Sequence, residues 1–205
     1  MEAFTGAKLM QNIEDLSHQP VTILIMDDDA ATMSKAREVL GHELEKWSDI
    51  GHSKKSVGKA LYNLQNKHKI LTTRIIQYFQ KCFSYAVTQN KDNALGLKDA
   101  LQAIVEHVFG NHVKCGNWCK AGNVNYTYKS LPHGKPFENE SLYVDLSIIF
   151  KSVANHSEKL APGGSTRDVE STNNIYASKA HKRTCYSTLV NPLKIGLLLQ
   201  LHKRI

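Results

Sequence analysis

The chain has 205 residues, of which 41% are hydrophobic and 22% are charged, so a folded protein is expected rather than a disordered one. Its 26 lysines and arginines against 19 aspartates and glutamates leave a net charge of +7, which favours a polyanionic partner. No run approaches the roughly 20 apolar residues that span a bilayer, no signal peptide is evident, and the four cysteines lack a secreted-type pattern. A soluble intracellular protein in a reducing compartment, without a membrane partner, is therefore expected.

The first fifty residues predict a small α/β segment. Residues 2–16 have the spacing of a modest amphipathic helix, which ends before Pro20. The apolar run 21–26 predicts a strand, a helix of about 30–41 follows, and 43–48 is a weaker strand candidate. With one clear strand and one weak strand, no closed sheet of five or more strands is expected.

Three consecutive aspartates, Asp27, Asp28 and Asp29, directly follow the predicted strand. Carboxylates at the carboxyl end of a strand are where α/β folds commonly hold metal ions and phosphates, so this run is a candidate site. The alternative is a helix N-terminus, because aspartate at the cap or in the first turn stabilises a helix by about 1 kcal/mol or less. The residues alone leave both interpretations open.

From residue 52 to residue 154 the pattern is helical, apart from a loop-like stretch at 120–137 that glycine and proline interrupt. Four sets of residues recur at helical spacing, and each predicts a buried helix face. They are Val57, Leu61, Leu64 and His68; Ile75, Phe79, Cys82, Phe83 and Ala86; Leu97, Leu101, Ile104, Val105 and Val108; and Leu142, Leu146, Ile149, Phe150 and Val153. A break at 161–165 precedes a predicted polar helix of about 167–179. The expected fold is α/β but dominated by helices, with a small α/β core and a large helical insertion.

Two histidines and two cysteines lie close together in the sequence at His107, His112, Cys115 and Cys119. They offer the four nitrogen and sulfur ligands of a tetrahedral zinc site, with the first histidine at the end of a helix. His133 is a substitute ligand, and the alternative is scattered surface histidines beside two buried or free cysteines. A zinc ion here would be structural, because it would join an otherwise loop-rich stretch.

Basic residues form candidate nucleic-acid contacts in two places. His52, Lys54 and Lys55 stand at the start of a predicted helix, where the helix dipole favours a bound phosphate. A solvated helix start is an equally good explanation of these three residues. The second set, which follows the predicted polar helix near residue 170, is Lys179, Lys182 and Arg183.

Glu170 lies on that polar helix. A glutamate in such a place is usually a surface charge. Brought beside Asp27, however, it would give a carboxylate pair able to hold the divalent metal ions of phosphodiester cleavage.

Six stretches, spread over roughly residues 21–186, share a pattern with a known family. They are the strand with DDDAAT, EKWSDIGHSKKSVGKALYNL, QKCFSYAVTQNK, AIVEHVFGNHVKCGNWC, YKSLPHGKPF, and SEKLAP through ESTNNIYASKAHKRTCY. In these stretches the chain resembles the transposase domain of Mutator-like transposable elements. The resemblance implies a ribonuclease H-like fold interrupted by a helical insertion, which cleaves and transfers DNA strands with three acidic residues that hold Mg²⁺ or Mn²⁺.

The resemblance also assigns roles to individual residues. The second acidic residue of the family corresponds to Asp27, with Asp29 as the close competitor, and the third corresponds to Glu170. The Zn²⁺ ligands at 107–119 fall in the insertion. The resemblance further implies DNA as partner, a second copy of the chain or a full-length transposase as protein partner, a nuclear location, and no small-molecule substrate.

The resemblance has gaps that limit the expected activity. The family's first catalytic aspartate would lie upstream of Asp27, where the chain has only Asp15 in a helical context. At a second place, relatives carry a Cys-x2-His pair where this chain has Asp49 and His52. A truncated or domesticated copy, inactive alone, is therefore expected; the alternative is a non-catalytic transposon-derived DNA-binding or protein-interaction module. The expected regions are an incomplete ribonuclease H-like core at 1–51, the zinc-bearing insertion at 52–160, the helix with the third acidic residue at 161–186, and a divergent tail at 187–205.

Overall fold

The computed structural model of the chain describes residues 2–26, 30–116, 119–121, 126–167, 169, 171, 172 and 175. Helices dominate these residues, as the sequence predicts. The elements are α1 (Glu2–Ser17), β1 (Ile23–Met26), α2 (Ala30–Leu40), β2 (Glu45–Ser48), α3 (Ile50–Leu64), α4 (Thr73–Gln89), α5 (Ala94–Val108), a 3₁₀ turn (Pro132–Gly134), α6 (Glu140–Ala154) and α7 (Ser157–Leu160). They fall into two compact units: the first holds α1, α2 and the amino-terminal halves of both strands, and the second holds the carboxyl-terminal halves of the strands and α3 to α7.

The first unit is built on a pair of packed helices. Ala7 and Met10 of α1 are buried, and so are Met33 and Ala36 of α2. Each helix thus buries a narrow face of small and flexible apolar side chains, as expected for two amphipathic helices that cover each other.

Glu14 fastens the end of α1 to two other segments of the first unit. Its carboxylate accepts a hydrogen bond from the Val21 amide at 2.6 Å and lies 2.7 Å from Nε2 of His42. The Val21 amide, and then His42, lower the pKa of Glu14. The pKa of His42 is raised, first by its hydrogen bond to the Glu43 carbonyl and then by Glu14. Both shifts favour the charged forms of the pair.

The two strands pair in parallel. The Glu45 amide donates to the Thr22 carbonyl at 2.8 Å, and the Asp49 amide donates to the Met26 carbonyl at 3.4 Å. Both partners advance by four residues in the same direction, which is the register of a parallel pair joined by a helix. The described residues contain this two-stranded sheet; that it belongs to an incomplete ribonuclease H-like core stays a prediction.

Helices α3 to α7 of the second unit enclose one hydrophobic core. The predicted apolar faces supply it, and its largest fully buried side chains include Phe79 and Phe83 of α4 and Phe150 of α6. The rings of Phe79 and Phe150 lie 5.7 Å apart and tilted, as aromatic pairs prefer. No helix in the described part of the chain is both long and apolar enough to cross a membrane.

In three helices of the second unit, the side chain of the residue just before the helix caps the first turn. The carboxylate of Asp49 accepts from the His52 amide at 2.6 Å, and the Asn93 side chain accepts from the Gly96 amide at 2.9 Å. Asn139 caps α6 in the same way. Each cap satisfies an amide that has no partner inside its own helix, so the starts of α3, α5 and α6 are fixed locally.

Candidate metal centre

The end of α5 and the turns after it bring the four predicted zinc ligands together. His107 lies in the last turn of α5 and is buried, and Gly110 follows with φ of +89°, a conformation that turns the chain away from the helix. The Cys115 amide then donates to the His112 carbonyl at 3.0 Å, and the Cys119 amide donates to the Gly116 carbonyl at 3.0 Å. These two tight turns carry both cysteines back towards the helix end.

The four side chains point their donor atoms at one common centre. The Nδ1 atoms of His107 and His112 lie 3.1 Å apart. The Sγ atoms of Cys115 and Cys119 both lie 3.5 Å from Nδ1 of His107. The same sulfur atoms lie 3.8 and 3.5 Å from Nδ1 of His112.

These distances are the edges of a tetrahedron of the size that zinc requires. With Zn–N of about 2.0 Å and Zn–S of about 2.3 Å, the edges would be about 3.3 Å between two nitrogens and about 3.5 Å between nitrogen and sulfur. All four donor atoms lie within 4.8 Å of one another. The cluster can therefore hold a metal ion such as zinc.

Tyrosine hydroxyls hold the outer nitrogen atoms of both imidazoles. The Tyr128 hydroxyl lies 2.7 Å from Nε2 of His112 and 3.2 Å from the His107 carbonyl, to which it donates its single proton. His112 therefore carries its own proton on Nε2, which leaves the lone pair of Nδ1 for a metal ion. Nε2 of His107 likewise lies 2.9 Å from the Tyr78 hydroxyl and 3.3 Å from that of Tyr126. Such outer hydrogen bonds orient metal-ligating histidines.

The electrostatics of the cluster suit a dication. Burial, and then the neighbouring His112, lower the pKa of His107 to about 4, so both imidazoles are neutral ligands at pH 7. Burial, and then Cys119, raise the pKa of Cys115 to about 12. Two thiolates this close repel each other, whereas a bound cation would stabilise both. Metal binding here would thus release protons from the thiols.

A family model described as Mutator-like transposase matches residues 1–119, more than half of the chain. The chain belongs to the Mutator-like transposase family. No curated protein matches it, and neither does any solved structure. The family match reaches from α1 through Cys119 and so includes both strands and all four candidate metal ligands.

Other predicted site residues of this family member stand apart from the cluster or outside the described residues. His133 lies in the 3₁₀ turn and does not belong to the group of four. Residues predicted for the acidic site and the second basic set lie outside the described residues: Asp27, Asp29, Glu170, Lys179, Lys182 and Arg183.

The first basic set lies at the start of α3. His52, Lys54 and Lys55 occupy its first turns, and the capping residue Asp49 is almost completely buried. The buried side of this turn is held by Gln80, whose side-chain amide donates to the Lys54 carbonyl at 3.2 Å. The predicted phosphate contact of these residues stays a prediction.

The three tyrosines around the imidazoles are absent from the sequence-based site. Tyr78 belongs to α4, whereas Tyr126 and Tyr128 belong to the loop before the 3₁₀ turn. In the sequence, Tyr126 and Tyr128 stand two residues apart in a loop-like stretch, and this pattern does not indicate a particular kind of site. Their role depends on contacts between segments far apart in the chain.

Proposed function

We propose that the chain is part of the DNA-cleaving domain of a Mutator-like transposase, with a ribonuclease H-like core interrupted by a zinc-holding helical insertion. One observation carries this proposal: the parallel pair β1 and β2 ends at one edge, with Met26 hydrogen-bonded to the Asp49 amide. Asp27 directly follows Met26 in the sequence. Carboxylates at the carboxyl edge of parallel strands are where such folds bring metal ions to phosphates.

We assign the divalent-metal ligands to Asp27, with Asp29 as competitor, and to Glu170. These carboxylates would hold two Mg²⁺ or Mn²⁺ ions, which when bound would supply activation of the attacking oxygen and stabilisation of the leaving oxygen of a phosphodiester. The chain's own part is to supply carboxylates, and to contact the DNA backbone with His52, Lys54 and Lys55 at the start of α3. Lys179, Lys182 and Arg183 form the second proposed contact.

We infer that the chain alone does not cleave DNA. Upstream of Asp27 its only other aspartate is Asp15, which lies in α1 and not after a strand. Two carboxylates hold a pair of ions less firmly than three. A second copy of the chain or a full-length transposase is the proposed protein partner, and the nucleus is the proposed location.

The zinc ion has a structural role in this proposal. Four protein ligands fill the tetrahedron and leave no open position for water or substrate, which is the arrangement of structural rather than catalytic sites. The ion would tie the end of α5 to the loop after it.

Mn²⁺ binding tests the acidic site directly. Mn²⁺ should bind to the purified chain, and Asp27→Asn and Glu170→Gln should each weaken the binding, as followed by the spin-resonance signal of free Mn²⁺. Asp99→Asn, which removes an exposed aspartate from α5, is the matched control. Equal binding by all four proteins would refute the assignment.

Nicking of supercoiled duplex DNA tests the inference about activity. With Mg²⁺ or Mn²⁺ present, the chain alone should leave the plasmid intact. Robust nicking that Glu170→Ala abolishes would contradict this inference and would instead establish an active enzyme.

A non-catalytic DNA-binding module is the second candidate, favoured by the net charge of +7. Salt-dependent affinity for duplex DNA that survives both Asp27→Asn and Glu170→Gln, together with no Mn²⁺ binding, would support it over the first. A protein-interaction role would show neither behaviour.

A further inference from the structure

A cleft of about 530 Å³ opens between α4 and the loop that follows Cys119, and two residues of the metal cluster, His107 and Cys119, are among those that line it. One face of α4 forms its floor, since Tyr78, Lys81 and Tyr85 recur at the three- and four-residue spacing of a helix face. Lys120, Tyr126 and Lys129 come from the loop. Three lysines and three tyrosines thus line one cleft, and none of its described lining residues is acidic.

The lysines of this cleft are available to a ligand. Lys81, Lys120 and Lys129 are exposed, and none of them forms an ion pair with a carboxylate in the described part of the chain. The Lys81 ammonium instead lies 5.9 Å from the centre of the Tyr85 ring. Tyr85 is 48% exposed, so part of its side chain remains accessible to a flat partner.

Hydrogen bonds to Tyr78, Tyr126 and Lys129 hold the walls of the cleft in place. The hydroxyls of Tyr78 and Tyr126 lie against Nε2 of His107, so the metal cluster supports two of the three rings. The Arg74 guanidinium donates to the Lys129 carbonyl at 2.6 Å and fixes the loop at its far side. A cleft built in this way exists before a ligand arrives, which lowers the entropy cost of binding.

We propose that this cleft binds a segment of single-stranded DNA, with lysines on the phosphates and an exposed tyrosine stacked on a base. This rests on the proposed action on DNA. Cationic grooves with exposed aromatic rings are how proteins bind single strands without regard to sequence. A paired base cannot present its face to Tyr85, because its neighbours in the duplex cover it. The volume also suits a nucleotide-sized group and not a double helix.

The test measures binding of a fluorescein-labelled thymidine oligonucleotide to the zinc-loaded full chain by anisotropy over a range of salt concentrations. Tyr85→Ala should weaken binding by about 5- to 150-fold, the size of one lost base stack. Lys81→Ala should make the slope of log K against log salt shallower by about 0.7, the value for one phosphate contact on a single strand. Tyr85→Phe, which keeps the ring, should bind nearly as well as the unchanged chain.

Two variants of matched chemistry control for charge and for the loss of a ring. Lys98→Ala removes an exposed lysine from α5, and Tyr62→Ala removes a tyrosine that is 42% exposed on α3. Neither residue lines the cleft. Both should bind the oligonucleotide as the unchanged chain does, because they alter the helix surface in the same way and leave the cleft intact.

Three results would overturn the proposal: no binding of the oligonucleotide, equal losses in the control variants, or displacement of the oligonucleotide by polyglutamate of matched charge. The last result would identify a general polyanion surface. Each of them leaves the Mn²⁺ and nicking experiments unaffected, since those concern Asp27 and Glu170. Failure of the cleft and failure of the acidic site are therefore distinguishable.

Discussion

Tyr128→Phe should weaken zinc binding by about tenfold while leaving the fold intact. The change removes one hydroxyl, which accepts a hydrogen bond from Nε2–H of His112 at 2.7 Å and donates one to the His107 carbonyl at 3.2 Å. It keeps the ring of a residue that is 8% exposed, and the bond to His112 is the one that bears on the metal ligand. A hydrogen bond contributes about 0.5 to 1.5 kcal/mol, which corresponds to about a 2- to 12-fold change in affinity. Loss of an outer partner of a ligating histidine costs about 10- to 100-fold. Both ranges include a loss of about tenfold in zinc affinity.

Zinc affinity can be measured by competition with a chromogenic chelator, with one equivalent of zinc expected for the unchanged chain. Tyr62→Phe removes a hydroxyl from an exposed tyrosine of α3 and should leave the affinity unchanged. Unfolding by denaturant in the presence of saturating zinc would show that the variant is still folded. If Tyr128→Phe holds zinc as tightly as the unchanged chain, the hydroxyl does not orient His112 and the tautomer argument fails.

Three further predictions concern the framework. Phe150→Ala should lower the free energy of unfolding, measured by denaturant titration, by about 3 to 5 kcal/mol through loss of a buried ring. Ile148→Ala, on the exposed face of α6, should change it little. Asn139→Ala should cost about 1 kcal/mol in the same measurement, because α6 loses its cap. In the folded chain the pKa of Glu14 is lowered and that of His42 is raised. The pair therefore stabilises the fold fully between pH 4.5 and 6.5. This stabilisation is lost as the pH falls below the folded pKa of Glu14 or rises above the folded pKa of His42. Thermal melts from below pH 4.5 to above pH 6.5 should show a loss of stability at both ends. Glu14→Gln should remove the loss at low pH and reduce the loss at high pH, where the Glu43 carbonyl still holds His42.

The helices of the second unit were predictable because their signals are local. Val57 and Leu61 recur one turn apart on α3, and both are buried. Asp49 directly precedes α3, and its side chain accepts a hydrogen bond from the His52 amide, so neighbouring residues fix the start of this helix. The weak strand candidate at 43–48 became β2 because its neighbour β1 supplies hydrogen bonds that its own poor alternation does not predict.

Contacts between distant segments could not be predicted in the same way. The sequence pattern puts His68 on the same helix face as Leu61, but α3 ends at Leu64. His68 lies beyond the helix end and is buried, with its Nε2 2.6 Å from the carboxylate of Asp145 on α6. The same carboxylate also contacts Lys67, and these hydrogen bonds, that with Lys67 first, lower the pKa of Asp145. Nothing in the spacing of either segment indicates which acid would meet which base, since that depends on how the helices pack.

The metal cluster is different, because all four of its ligands come from a short stretch that can close on itself. Closing such a short loop costs little chain entropy compared with joining distant segments. The longer connection up to α6 is secured separately: the Phe137 amide donates to the Val108 carbonyl at 2.8 Å, and the rings of Phe109 and Phe137 lie 5.7 Å apart. The helical core has its own caps and apolar faces, so a metal ion held by the cluster would order only the loop between Val108 and Phe137. That loop carries Tyr126 and Lys129, so a metal ion in the cluster would also stabilise the proposed DNA-binding cleft.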